Sequence, residues 1–424
     1  MIAAASSGSG KTTLTIGLLR ALSKRGLKVQ PFKCGPDYID TKYHESATGN
    51  PSVNLDLFLS TPEKTGLLYQ KYEAGKDVCI VEGVMGLFDG YNRTEGSSAN
   101  IARLLGLPVI LVVDARSMAY SAAALLYGFK YFRKEINIAG VIFNFVASAS
   151  HYHFLKEACD DVGLRALGYL PKNSGIEVPS RHLGLTLDEA YCFDGFADKA
   201  ALLLEEHVDI NQLLRITEHS VEDIYQDTPP QKGDMVIAVA RDEAFNFMYH
   251  ENIESLKRMG KVVFFSPLND AKLPEADLLY LPGGYPELYL EKLSNNQSMI
   301  AGIRDYAEKG GRLLAECGGM MYLSTSITDK DGRIFPMANI LKQTASMKNM
   351  KLKLGYRQFE YNGVKCKGHE FHYSSIDSLL ESVTQQYDAK GAPVDTKLIR
   401  YKNVVAGYTH LYWGDMDNLT DIFK

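Results

Sequence analysis

The chain has 424 residues, 46% hydrophobic and 23% charged, with a net charge of −5 at pH 7. That length exceeds one ordinary core and asks for two or three domains, while the mild acidity excludes a nucleic-acid binder that works by bulk charge. No apolar run approaches a membrane span, a glycine-rich motif at residue 5 leaves no room for a signal peptide, and the six scattered cysteines form no C-x-x-C pair, so a reducing cytoplasm is expected.

Met1–Ala4 can supply a short strand. Ala5-Ser6-Ser7-Gly8-Ser9-Gly10-Lys11-Thr12-Thr13 follows, and then a helix with apolar Leu14, Leu18, Leu19 and Leu22. Strand, glycine-rich turn and helix is the setting of a phosphate-binding loop, where backbone N–H groups and a helix N-terminus meet an anion. Gly8, Gly10 and Thr13 belong to the cradle. Lys11 would reach the outer phosphates and the Thr12 hydroxyl would hold Mg²⁺. Ala5 stands where the strict pattern has its first glycine. A flexible Ser/Gly turn is the plain alternative, and the well-patterned helix after it speaks against that.

Four more apolar runs follow at Lys28–Phe32, Val78–Val81, Pro108–Val113 and Ile138–Phe143. Their continuous Val/Ile/Leu character predicts a parallel sheet with helices on both faces, and ligands at the carboxyl ends of its strands. The second strand delivers Lys33-Cys34-Gly35-Pro36-Asp37-Tyr38-Ile39-Asp40. The third delivers Glu82 and a loop ending in Asp89-Gly90, with Glu82 where an NTPase places a Mg²⁺-linked carboxylate. The fourth delivers Asp114-Ala115-Arg116, and the fifth Asn144, a reader of a base edge. Any one of these acids alone reads equally well as a solvated loop residue. His44 and His182 read more readily as structural histidines. Arg181-His182, in a Pro/Gly-bounded loop, is an anion-binding candidate.

Helical Phe193–His207 leads into a polar, proline-containing stretch, read as a linker over 216–233 between a domain at 1–215 and another at 234–424. Strands Met235–Ala240, Val262–Phe265 and Leu278–Leu281 open the second alternating region. Leu278–Leu281 runs into Pro282-Gly283-Gly284-Tyr285-Pro286-Glu287. Next comes Leu313-Leu314-Ala315-Glu316-Cys317-Gly318-Gly319, an apolar strand ending in a reactive residue and small glycines. That is the logic of a nucleophile elbow with Cys as nucleophile. A thiol at a helix N-terminus is expected to have a depressed pKa. The N–H of Gly318 and one from Gly284 are the expected oxyanion donors. A cysteine merely packed behind the strand is the alternative. His410, at the end of strand Val404–Ala406, is the expected base. His369 and His372 would face opposite sides of a strand and make a poor metal pair.

Taken in order, these motifs resemble a known family. The first half is similar to the dethiobiotin-synthetase-like P-loop amide ligases and the second to the class I glutamine amidotransferases. Joined in this order they resemble the cobyrinic acid a,c-diamide synthase family, over nearly the whole chain. The resemblance implies two α/β domains and ATP- and glutamine-dependent amidation of the a and c acetates of a corrin. It implies Thr12, Asp37 and Glu82 as Mg²⁺ ligands and Lys33 at the transferred phosphate. Tyr38, Ile39, Asp40 and Asp89 match positions of substrate handling and catalysis. Many class I amidotransferases carry a Glu two residues after the histidine; here that residue is Tyr412, which leaves Glu370 as a stand-in orienter. Hydrogenobyrinic acid and nickel sirohydrochlorin are rival substrates. A partition-type P-loop ATPase switch is the rival of another class, and its second lysine is missing at Ser6-Ser7. A homodimer is compatible with this reading.

Overall fold

The computed structural model describes residues 1–172, 176, 193–219, 233–416 and 419–424. The chain divides into two compact units, Met1–Asp227 and Thr228–Lys424. The first is built on a seven-stranded parallel sheet. Its strands are β1 (Ile2–Ala4), β2 (Val29–Cys34), β3 (Val53–Leu55), β4 (Val78–Glu82), β5 (Val109–Asp114), β6 (Ile138–Val146) and β7 (Ala166–Pro171). Their order is β3-β2-β4-β1-β5-β6-β7. Alternate residues of one strand serve opposite cores. Leu111, Val113 and Phe143 pack into one cluster, and Ile110, Val112 and Ile142 into the other, together with Leu14, Leu18 and Leu22 of helix α1 (Lys11–Lys24). This is why the strands read as unbroken apolar runs.

The register sets the site. β1, β2 and β4 lie side by side, with Ile2 and Lys33 both aligned with Glu82. The phosphate loop, Lys33 and Glu82 therefore emerge together at the carboxyl edge of the sheet. Sequence reading gave five strands here, and the structure adds two. β3 has only Val53-Asn54-Leu55, too short for a period to show. β7 carries a glycine and a terminal proline, residues that read as loop.

The second unit holds a six-stranded sheet. From one edge it runs Leu398–Tyr401, Val404–Gly407, β11 (Arg312–Glu316), β10 (Leu278–Leu281), β8 (Met235–Ala240) and β9 (Gly260–Phe265). Only the Leu398–Tyr401 edge strand is antiparallel to its neighbour. A separate five-stranded sheet is organised on the hairpin of Lys353–Tyr361 with Val364–His372. Its turn, Asn362-Gly363, has φ of 50° and 75°, the double left-handed turn that Asn-Gly favours. The short strand His410–Leu411 pairs with this hairpin, His369 opposite His410. Among the described residues no helix is long and apolar enough to cross a membrane.

Candidate active sites

In the first unit the chain leaves β1, turns through Gly8 and Gly10 at φ of 78° and 87°, and enters α1. A Cβ on Gly10 would lie 1.9 Å from Asn144 Nδ2, so this position needs glycine for both its dihedral and its space. Asn144 is buried. Its amide donates to the Ser9 carbonyl at 3.0 Å and its Oδ1 accepts the Phe145 N–H at 2.9 Å. Expected at a base edge, it buttresses the phosphate loop in this structure.

Lys11 donates to the Met85 carbonyl at 2.5 Å. Met85 has a left-handed φ of 49°, uncommon for a side chain of its size, within the Gly83–Gly90 loop that carries Asp89. Asp89 is exposed and accepts the Gly86 N–H at 3.0 Å, so it orders this loop. Thr12 Oγ1 donates to Glu82 Oε1 at 2.8 Å and approaches Asp40 Oδ2 at 3.4 Å. Lys33 Nζ lies 2.8 Å from Glu82 Oε1 and 2.7 Å from Asp40 Oδ2. All three charged groups are buried.

Burial opposes the charge on Glu82, but Lys33 and His44 outweigh it and hold its carboxyl well below the usual range. Burial opposes the charge on Lys33 too, and Asp40, Glu82 and Asp37 outweigh it and raise its pKa. An ammonium fixed in its charged state beside an anion site is suited to phosphate. Asp37 Oδ1 accepts the N–H groups of Ile39 and Asp40 at 2.9 and 2.8 Å and opens helix α2 (Asp40–Thr48). Asp40 is the acid that reaches Thr12 and Lys33. Tyr38 is buried and Ile39 half-buried in the same turn. Arg181 and His182 lie outside the described residues.

His44 was read as structural, and it proves part of this cluster. It is fully buried, with Nε2 2.7 Å from Glu82 Oε2 and Nδ1 3.0 Å from Ser52 Oγ. Asp40 and His44 are i, i+4 on α2, and that shared helix face was the signal in the sequence. Among the described residues no group of three or more His, Cys, Asp and Glu side chains is arranged to hold a metal by itself.

In the second unit Cys317 caps the helix Gly318–Leu323 at φ 46°, ψ −107°. A non-glycine residue held there stores strain, as a nucleophile elbow does. The Gly283-Gly284 turn is pressed between the elbow and His410. A Cβ on Gly283 would lie 2.1 Å from His410 Cε1, and one on Gly318 3.1 Å from the Gly284 nitrogen. The Gly284 nitrogen thus lies close to Gly318, whose N–H meets the Cys317 thiol.

The expected low thiol pKa is not what the structure supports. Burial pushes the Cys317 thiol well up, and the nearby Glu287 adds to it; the Gly318 N–H only partly offsets them. A six-residue helix offers little dipole against that burial. Burial also pushes His410 down to about 3, helped by His369 and His372. Burial thus opposes a charge on both groups at rest, and each favours its neutral form.

Glu370, the stand-in orienter, serves another histidine. Its Oε1 is 2.7 Å from His372 Nε2, and its Oε2 accepts Arg357 Nε and Thr396 Oγ1, each at 2.6 Å. His372 Nδ1 faces the Ser374 carbonyl at 2.8 Å, and its ring stacks on Tyr408. Burial opposes the Glu370 charge, but His372, Thr396 and Arg357 outweigh it and bring its pKa to about 2. The charged form thus stabilises this unit fully above the ordinary carboxylate pKa and loses that effect as pH falls toward 2. The stability gap between wild type and Glu370→Gln is expected to narrow by about 3 kcal/mol from about pH 5 toward about pH 2. Denaturant melts across that range measure it; a constant gap contradicts the assignment.

Comparison with known proteins bears on both sites. Residues 1–185 match the CobQ/CobB/MinD/ParA nucleotide binding domain, and residues 236–417 the CobB/CobQ-like glutamine amidotransferase domain. The chain is 42% identical to a cobyrinate a,c-diamide synthase of Caldanaerobacter subterraneus, over 97% of this chain and 94% of that one. It is 40% identical to another of Picrophilus torridus, over 100% and 97%. A hydrogenobyrinate a,c-diamide synthase of Brucella anthropi is 42% identical over 97% of each. With a phosphate loop in one unit, a cysteine elbow in the other and full-length similarity of this degree, the chain belongs to the cobyrinate a,c-diamide synthase family.

Proposed function

We propose that the chain hydrolyses glutamine at Cys317 and uses the ammonia to amidate the a and c acetates of cobyrinic acid at the expense of ATP. The observation that carries this reading is the cluster of Lys11, Thr12, Lys33, Asp40 and Glu82 at one sheet edge, in a chain that also carries the Cys317 elbow.

A carboxylate is a poor electrophile toward ammonia, and phosphorylation supplies a leaving group. In the proposed first step a carboxylate oxygen attacks the γ-phosphorus of ATP and ADP leaves. Backbone N–H groups of the loop and Lys11 hold the phosphates. Nucleotide would draw Lys11 from the Met85 carbonyl, exchanging a neutral acceptor for a charged one. Lys33 balances charge at the transferred phosphoryl group. Ammonia then attacks the acyl carbon and inorganic phosphate departs with one carboxylate oxygen.

The Thr12 hydroxyl with Glu82 and Asp40 gives the hard oxygen donors that Mg²⁺ takes alongside nucleotide phosphates, so the residues fit that ion. When bound, Mg²⁺ neutralises charge on the phosphates. At the second site the Cys317 sulfur attacks the glutamine carboxamide as His410 takes the thiol proton. The Gly284 and Gly318 amides receive the developing oxyanion, the proton returns to the leaving ammonia, and water releases glutamate.

Acetate side chains lie on the rim of a tetrapyrrole, away from its metal. Recognition of that rim does not require cobalt, and the Brucella relative favours hydrogenobyrinic acid as the second reading. Incubation with ATP, Mg²⁺ and [amide-¹⁵N]glutamine with cobyrinic acid, hydrogenobyrinic acid or nickel sirohydrochlorin tests both. Two labelled nitrogens in cobyrinic acid are expected by mass. Label in hydrogenobyrinic acid alone supports the second reading, and label in none contradicts both.

A further inference from the structure

We propose that Glu316 is a positioning residue of the glutaminase site, fixing Cys317 and His410 relative to each other. This rests on the reading of Cys317 as nucleophile and His410 as base. Glu316 ends β11 and directly precedes Cys317, and Leu411 directly follows His410. Glu316 Oε1 accepts the Leu411 N–H at 3.1 Å, and Oε2 accepts the Tyr280 hydroxyl at 2.7 Å.

The backbone completes the clamp. The Cys317 N–H donates to the Gly407 carbonyl at 2.7 Å. The nucleophile segment is thus tied to the base segment three residues before His410 and, through Glu316, one residue after it. The two strands belong to different sheets, β11 to the six-stranded one and His410–Leu411 to the five-stranded one. The Gly407 bond extends the ladder between β11 and Val404–Gly407 in the six-stranded sheet, and the Glu316 bond to Leu411 crosses to the five-stranded one. Asn252 holds the far side, donating to the Leu411 carbonyl at 2.7 Å and accepting the Trp413 N–H at 2.7 Å. Trp413 packs edge-on to Tyr280, with ring centroids 4.6 Å apart. Leu411 is therefore fixed through both of its backbone groups.

A carboxyl that is 2% exposed is costly to bury. Burial raises its pKa to about 8. An apolar side chain could fill this core position, but it could not hold Leu411. Glu316's two oxygens are given to Leu411 and Tyr280, so it acts on His410 through the backbone.

Steady-state glutamine hydrolysis by the full chain tests this, with ammonia-driven amidation in parallel. Glu316→Ala is expected to lower kcat for glutamine by about 10- to 100-fold, the usual effect of a small misplacement of catalytic groups. KM for glutamine and ammonia-driven amidation should stay near wild type. Glu316→Gln keeps an acceptor for Leu411 and should restore kcat to within about threefold. Tyr280→Phe removes only the second partner, and it should lower kcat with KM unchanged even if Glu316→Ala does not fold. The proposal is overturned if Glu316→Ala keeps wild-type kcat, if Gln is no better than Ala, or if both nitrogen sources fail together. Absence of glutamine hydrolysis in the wild type would instead overturn the glutaminase reading itself.

Discussion

Cys317→Ser is expected to lose glutamine-driven amidation by more than about 10³-fold, as removal of a covalent nucleophile does, while retaining amidation driven by free ammonia. The substitution is nearly isosteric, so the buried elbow at φ 46° keeps its packing. The chemistry does not survive it. A serine hydroxyl needs far stronger activation than a thiol. The site gives it little help, because burial opposes a charge on the nucleophile and on His410 alike. The upward shift of the Cys317 thiol adds a second expectation. Alkylation of Cys317 by a small haloacetamide should lack the acid-shifted reactivity of a thiolate–imidazolium pair. Parallel assays with glutamine and ammonium chloride measure the main effect. Loss of both activities in a folded variant would contradict two separable sites.

Lys11→Ala is expected to reduce amidation with either nitrogen source on the order of 10³-fold, the scale for removing a group aimed at developing charge. Its ammonium meets the Met85 carbonyl, a contact whose loss changes stability by about 2 kcal/mol. The effect should therefore appear in turnover and nucleotide affinity more than in melting. The contrast with Glu82 sharpens it. Removing Glu82 would strip Lys33, His44 and Thr12 of a shared buried acceptor, so that variant conflates folding with catalysis. Nucleotide titration and amide yield with ammonia measure the Lys11 variant. Undiminished amidation, or amidation without ATP hydrolysis, would contradict the account.

Much of this was legible because the chemistry sits directly after apolar strands. Lys33 and Glu82 each lie at a strand's carboxyl end, and the parallel pattern predicts that such ends converge. The Cys317 elbow was readable for the same reason. What escaped depends on which neighbour wins a side chain. Asp37 and Asp40 are indistinguishable as letters, yet one caps α2 and the other meets Lys33. Helix-terminus reasoning alone favoured a low thiol pKa, and burial reversed it. Glu370 was a stand-in partner for His410 because Tyr412 occupies the usual glutamate position, but strand alternation gives it to His372 on its own face. The antiparallel hairpin was missed because polar residues alternate along it, although Asn362-Gly363 announced its turn.

The central claim is that this phosphate loop activates a carboxylate, and transfer of oxygen tests it most directly. Cobyrinic acid carrying ¹⁸O in its carboxylates, incubated with ATP, Mg²⁺ and glutamine, should give one ¹⁸O-labelled inorganic phosphate for each amide formed. Amide formation with no label in phosphate would contradict the acyl phosphate, and with it the role assigned to Lys11, Lys33 and Glu82.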